Sequence, residues 1–129
     1  MIDKRLLKIA SNNKFYGLKN NYTYKTNLKN SICGDKISIE ISLKKNTIQE
    51  LRYETEACIY CQASASTLAS MAKNTNFSEL KKNLSKYLNF SKKVPKKFGY
   101  NLTYLLKEKN MIRKDCILLP FKAFYKAIK

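Results

Sequence analysis

The sequence predicts an α+β domain: a small antiparallel sheet, made of one hairpin with room for a third short strand, and helices packed on one face of it. Three observations carry this. Apolar residues alternate strictly from Lys36 to Leu43, a polar turn separates that run from a second strand-like run, and from Gln62 onward the apolar positions recur at helical spacing. The chain has 129 residues, 44% hydrophobic and 27% charged, which is enough for one globular domain spanning 1–129 and too little for two.

Taken in order, Asp3 is placed to cap a first helix over residues 3 to 10, with Leu6, Leu7 and Ile9 as its apolar positions. The Asn- and Tyr-rich stretch from Ser11 to Ser31 reads as irregular, anchored by Phe15, Tyr16 and Leu18. In the first strand Ile37, Ile39, Ile41 and Leu43 share one face, and Ser38, Glu40 and Ser42 the other. Lys44, Lys45 and Asn46 form the turn, and the second strand runs from Thr47 to Thr55 with Ile48, Leu51 and Tyr53 inward, its alternation slipping once.

Gln62 to Lys73 reads as a helix whose Ala63, Ala65 and Ala69 allow close approach to the sheet. Ser78 is the expected cap of the next, which carries Leu80, Leu84, Tyr87 and Leu88. Phe90 to Asn101, lysine-rich with Pro95 and Gly99, reads as a connector, and Leu102 to Lys109 as a short helix. A last helix carries Phe121, Phe124, Tyr125 and Ile128. Because proline inside a helix removes a hydrogen bond and clashes with the preceding turn, that helix is expected to begin close to Pro120, leaving Cys116 at or just before its N-terminus.

The formal net charge is +17, a field that would attract nucleic acid, acidic membrane or an acidic protein. Nearly all of it is lysine. Arg5, Arg52 and Arg113 are the only arginines, whereas surfaces that read bases and clamp phosphate favour the bidentate guanidinium. With abundant Asn, Ile and Tyr and scarce Gly and Pro, the charge reads as compositional bias. The N-terminus lacks the apolar core and cleavage site of a secretory signal, and no stretch approaches the ~20 apolar residues of a membrane span. The expected compartment is the cytoplasm, where four cysteines point to metal or sulfur chemistry rather than disulfides. Histidine, the commonest metal ligand and general base, is absent from the sequence.

Cys33 precedes the first strand, Cys58 follows the second, and Cys116 precedes the final helix. A hairpin returns its second strand to the edge where the first began, so Cys33 and Cys58 are expected to meet. Asp35 can direct a carboxylate to the same side, and Gly34 permits a tight turn between them. A helix N-terminus favours the thiolate, the form that binds metal and attacks sulfur, and Cys116 and the Cys58/Cys61 pair both have that opportunity. The competing reading makes some of these residues small buried hydrophobes, above all Cys116 before Ile117, Leu118 and Leu119. Cys58 and Cys61 form a lone Cys-x-x-Cys, shared by zinc sites and redox motifs, although redox motifs open a helix inside a βαβ unit and here a hairpin precedes. Three sulfurs and a carboxylate oxygen suit zinc, and thiolates suit iron-sulfur clusters.

Cys33-Gly34-Asp35, a hairpin, Cys58 followed by Gln62-Ala63-Ser64-Ala65-Ser66, and Arg113-Lys114-Asp115-Cys116 occur in order at compatible spacing. Together they resemble the U-type iron-sulfur cluster assembly scaffold family, which includes IscU, SufU and the N-terminal domain of NifU. The resemblance covers roughly residue 12 to the C-terminus and is nearest to the SufU branch. It implies a SufE/NifU-like fold in which Cys33, Asp35, Cys58 and Cys116 hold a transient [2Fe-2S] cluster or Zn2+, with Cys116 as the sulfur acceptor. The implied partners are a cysteine desulfurase and recipient apo iron-sulfur proteins, the implied state a monomer or weak dimer, and the implied role that of a scaffold or sulfur carrier rather than an enzyme.

The sequence departs from parts of this pattern. Asp115 stands where IscU-type members have histidine, and their chaperone-binding Leu-Pro-Pro-Val-Lys segment is missing. Cys61 stands where SufU relatives usually have serine, as an alternative ligand, a spare sulfur relay or a harmless substitution. Ile117-Leu118-Leu119-Pro120-Phe121 is similar to a divergent bacterial subgroup whose third cysteine can be absent. Within the family a zinc-bound SufU-like sulfur shuttle competes with the cluster scaffold. Outside it stand a nucleic-acid module using the lysines and aromatics of Lys81 to Lys109, and a thiol redox protein using Cys58 and Cys61.

Overall fold

The computed structural model describes residues 4–30, 34–87, 104–105, 110 and 113–127. The elements are α1 (Lys4–Ala10), β1 (Tyr24–Lys29), β2 (Lys36–Lys44), β3 (Thr47–Glu56), α2 (Ile59–Ala72), β4 (Thr75–Asn76), α3 (Phe77–Tyr87) and α4 (Lys114–Ala127). The four strands form one antiparallel meander in the order β1-β2-β3-β4. This is the α+β architecture expected from the alternation, with two strands more than the hairpin.

The hairpin follows from its pattern. Ile37, Ile39 and Ile41 on β2 and Ile48, Leu51 and Tyr53 on β3 are buried on one face. The slip in the β3 alternation is a bulge: Ser42 pairs with Glu50 and Leu43 with Ile48, so Gln49 has no opposite residue. Across that face lie α2, which packs on β3, α1 and α4, and α4, which packs on β1 and β2. Phe121 and Phe124 of α4 and Leu68 of α2 fill the space between.

The stretch Ser11 to Ser31 is not irregular throughout, because Tyr24–Lys29 pairs with Lys36–Ile41 as β1. Its inward positions Tyr24, Thr26 and Leu28 alternate with lysines and an asparagine, but only Thr26 is fully covered, so the strand carries little apolar signal. Of the expected anchors, Phe15 is buried, whereas Tyr16 is an exposed ring set edge-on against Tyr53 at 5.4 Å. Leu18 is held through its backbone N–H, which donates to Glu54 Oε2 at 2.9 Å.

This segment first pairs with the free edge of β3, where Gly17 N–H donates to the Tyr53 carbonyl at 2.8 Å. It then crosses the sheet face opposite the helices. Buried Glu40 accepts from the N–H groups of Lys19 and Asn20 at 2.9 and 3.1 Å, and Arg52 donates to the Gly17 and Tyr16 carbonyls at 2.9 and 2.8 Å. Carboxylate and guanidinium thereby satisfy backbone groups that would otherwise be stranded against the sheet.

Two helix boundaries differ from expectation. The cap of α3 is Asn76, whose Oδ1 accepts from Glu79 N–H at 2.9 Å, while Ser78 lies inside the helix. The last helix begins at Lys114 and carries Pro120 in its interior. Proline removes the N–H that would bond to the Cys116 carbonyl, and the buried packing of Ile117, Phe121 and Phe124 holds the helix through the break. Tyr104 and Leu105 are helical and buried, but the rest of the expected 102–109 helix and the Phe90 to Asn101 connector lie outside the described residues. No helix among the described residues is long and apolar enough to cross a membrane.

Tyr53 links the sheet to the crossing segment, its hydroxyl donating to the Asn12 carbonyl at 3.4 Å. Burial raises the phenol above its ordinary value, outweighing the hydrogen bond with Ser66. The neutral phenol is therefore the form the fold favours. Its contribution is complete below about pH 10 and is lost as pH rises through the folded value. Tyr53→Phe is expected to cost about 1 kcal/mol at neutral pH, a deficit that shrinks above about pH 10; urea titrations at several pH values measure it. A deficit constant across that range would contradict the assignment.

Candidate functional site

The register of the hairpin builds the first half of the site. Lys36 pairs with Glu56, so Asp35, one residue before that last pair, and Cys58, two residues after it, arrive at the same end of the sheet. Asp35 leaves a tight turn between β1 and β2, in which Gly34 N–H donates to the Asn30 carbonyl and Asn30 N–H to the Asp35 carbonyl, both at 2.8 Å. Gly34 has φ +79°, a conformation open to glycine, and a Cβ there would meet nothing within 4 Å. The requirement is backbone freedom, not space.

Cys58 caps α2 in extended conformation (φ −68°, ψ 166°) without spending its side chain on a capping bond. Its N–H donates instead to Asp35 Oδ1 at 3.3 Å. One carboxylate oxygen thus fixes the start of α2. The other, Oδ2, is buried and has no hydrogen-bond partner among the described residues.

Cys116 arrives from the far end of the sequence in the first turn of α4. Although the helix starts six residues before Pro120, the thiol still sits at its N-terminus, where the sequence argument needed it. One ligand atom from each of Asp35, Cys58 and Cys116 lies within 4.8 Å of the other two. Asp35 and Cys116 are buried and Cys58 half-buried.

The electrostatics run against the thiolate expected from the helix N-terminus. Burial pushes the Cys116 thiol well above its usual range, and the hydrogen bonding and charge of Cys58, then of Asp35, push the same way. Arg113 and Lys114 are exposed. Water screens their charge, while the carboxylate acts from inside the pocket.

A bare buried carboxylate oxygen beside two thiols is costly unless a cation neutralises it. The donor set fits zinc or iron, because thiolate and carboxylate are ligands of both. Cys33, which precedes Gly34 in the sequence, lies outside the described residues. Cys61 is fully buried in the core, two residues into α2, and is not one of the three clustered residues. The basic and aromatic segment considered for nucleic acid lies mostly outside the described residues, with Lys81 and Lys82 exposed at its start.

Two further contacts join the helices that carry the cysteines. The Ser64 hydroxyl of α2, fully buried, donates to the Ile117 carbonyl of α4, and the Arg113 guanidinium lies over the Tyr60 ring, 5.9 Å from its centroid. The Ala-Ser-Ala-Ser run was visible in the sequence as a motif, but nothing in the sequence says which helix its hydroxyls reach.

Comparison with known proteins agrees with this picture. Residues 3–96 match the model of the family described as NifU-like N terminal domain, a stretch that includes Asp35 and Cys58 and ends before Cys116. An iron-sulfur cluster assembly scaffold protein IscU of Thermotoga maritima is 26% identical over 136 aligned positions, covering 100% of this chain and 93% of its own. An uncharacterized protein of Borreliella burgdorferi is 29% identical over 121, covering 93% of this chain and 84% of its own. Among solved structures, a putative iron-sulfur cluster assembly scaffold protein for the SUF system from Fervidobacterium islandicum superposes with a TM-score of 0.84 at 22% identity, covering 99% of this chain and 96% of that one. A NifU-like N-terminal protein from Brucella abortus gives 0.81 at 20% identity, covering 98% and 90%. With residues 3–96 matched, nearly three quarters of its length, this chain belongs to the NifU-like N-terminal domain family.

Proposed function

We propose that the protein is an iron-sulfur cluster assembly scaffold that accepts persulfide sulfur from a cysteine desulfurase and carries iron or a nascent [2Fe-2S] cluster to recipient apoproteins. The single observation that carries the reading is the convergence of Asp35, Cys58 and Cys116 within 4.8 Å, from a turn, a helix cap and a distant helix. Cys33, which precedes Gly34 in the sequence, would complete the ligand set. Family membership and the similarity to IscU-named and SUF-system proteins support the same role.

In this proposal Cys116 receives the sulfur. Its thiolate attacks the outer sulfur of the desulfurase persulfide, the S–S bond breaks, and the desulfurase thiolate leaves. The product is a persulfide on Cys116, with no net oxidation or reduction. A cation bound at the site would supply the positive charge that stabilises the thiolates beside Asp35. Asp35, a hard oxygen donor among soft sulfurs, would hold iron less firmly than a fourth thiolate and so favour release of the cargo.

A second reading, a zinc-bound sulfur-transfer protein, is favoured by the donor set, because three thiolates and one carboxylate suit tetrahedral zinc. One experiment tests both. The protein is incubated anaerobically with ferrous iron, cysteine and a cysteine desulfurase while visible absorption is followed, and metal content is measured as purified. Growth of iron-to-sulfur charge-transfer absorption is expected for the scaffold, and stoichiometric zinc without visible absorption for the shuttle. A protein that does neither would overturn the proposal.

A further inference from the structure

The contact between Ser64 and α4 has a consequence for the geometry of the site. Pro120 deprives the Cys116 carbonyl of its usual helical donor, and the proline ring presses on the turn containing Cys116 and Ile117. The first turn of α4 is therefore the part of that helix least able to hold itself in place. Yet it must set a buried thiol beside Cys58 and Asp35.

The donor that reaches this turn comes from α2. Ser64 is fully buried, with Ala63 and Ala65 on either side small enough for the two helices to approach, and its hydroxyl bonds to the carbonyl next to Cys116. The same helix begins at Cys58. One rigid element thus caps with one cysteine and, a turn and a half later, grips the backbone beside the other. Ser66, two positions on, uses its hydroxyl differently: it donates to the Asn12 carbonyl at 3.1 Å, away from the cluster.

We infer that Ser64 is a positioning residue that fixes the Cys116 thiol relative to Cys58 by tethering the proline-weakened first turn of α4 to α2. The inference rests on the metal-site reading for its functional meaning, and its geometry can be tested without metal. Groups that orient ligands from behind typically change metal affinity by about 10- to 100-fold when removed.

Ser66→Ala is the matched control, because it also deletes a buried hydroxyl bonded to a backbone carbonyl from the same helix. Three measurements on the full chain separate the two serines. Both alanine variants are expected to lose thermal stability to a similar degree. Ser64→Ala alone is expected to weaken cobalt binding by about 10-fold or more and to alter the visible bands that report tetrahedral thiolate coordination. In the metal-free protein, bridging of Cys58 to Cys116 by dibromobimane, with the pair identified by peptide mapping, should slow several-fold in Ser64→Ala and not in Ser66→Ala. Equal cobalt affinities and bridging rates in the two variants would overturn the positioning role. Failure of the unmodified protein to bind cobalt would count against the metal site, and the bridging comparison would then decide the role of Ser64 by itself.

Discussion

Cys116→Ser is expected to lower zinc affinity by at least about 100-fold, equivalent to about 2.7 kcal/mol, while changing the stability of the metal-free protein by less than about 1 kcal/mol. The argument is one of ligand chemistry. A serine hydroxyl is not ionised at neutral pH and cannot replace a thiolate on zinc or iron. The serine hydroxyl can still hydrogen-bond in a pocket lined by Asp35 and Cys58, so the metal-free fold loses little. Cys61→Ser should do the reverse. Cys61 is fully buried in the core and not one of the clustered residues, so a serine there replaces a small hydrophobe by a more strongly hydrated hydroxyl at a cost of about 1 kcal/mol or more and leaves zinc affinity unchanged. Competition with a chromophoric chelator gives the affinities, and urea titration gives the stabilities. Sulfur transfer, followed as radiolabelled sulfur passing from cysteine through the desulfurase to the protein, should vanish with Cys116→Ser and persist with Cys61→Ser. Retention of zinc and sulfur by Cys116→Ser would remove the site.

How much of this the sequence revealed depended on whether local pattern or distant packing determined each feature. The β2–β3 hairpin was legible because Ile37, Ile39, Ile41, Ile48, Leu51 and Tyr53 face one covering layer and alternate accordingly. Its register then brought Asp35 to Cys58 with no further information. By contrast, β1 is an edge strand whose fully covered inward residue is Thr26, and β4 is two residues long, so neither leaves an apolar signature. Pro120 misled the reading of α4 because its local cost is real. Packing of Phe121 and Phe124 against the sheet and α2 overrides it; their helical spacing was legible, but not that the packing outweighs the proline and carries the helix back to Lys114.

The convergence of Asp35, Cys58 and Cys116 was legible in the sequence and their electrostatic environment was not, while Cys33, the fourth expected ligand, lies outside the described residues. Position at a helix N-terminus and beside Arg113 and Lys114 argues for a thiolate at Cys116. The fold adds what spacing cannot show, that the thiol is buried and faces a carboxylate and a second thiol, which reverses the direction. The same burial that opposes an isolated thiolate makes a bound cation more valuable, because charges interact more strongly out of water.

Phe121→Ala is expected to cost about 3–5 kcal/mol of stability, a large share of the roughly 5–15 kcal/mol that holds a domain of this size. Phe121 is completely buried, where α4 packs on the sheet and α2, so truncation leaves a cavity that neighbouring helices can only partly close. The loss should nonetheless stay on one side of Pro120. The turn that holds Cys116 is gripped from α2 through Ser64 and Ile117, on the other side of the break. Zinc affinity measured below the unfolding transition should therefore remain within about threefold of the unmodified protein, a change of less than 1 kcal/mol. Saturating zinc at about 100 times its dissociation constant should return about 2.7 kcal/mol to the variant. Ser64→Ala would show the converse, a modest loss of stability with a larger loss of affinity. If Phe121→Ala weakens zinc binding as much as it weakens the fold, α4 moves as one body, and Pro120 does not separate the helix that anchors from the turn that binds.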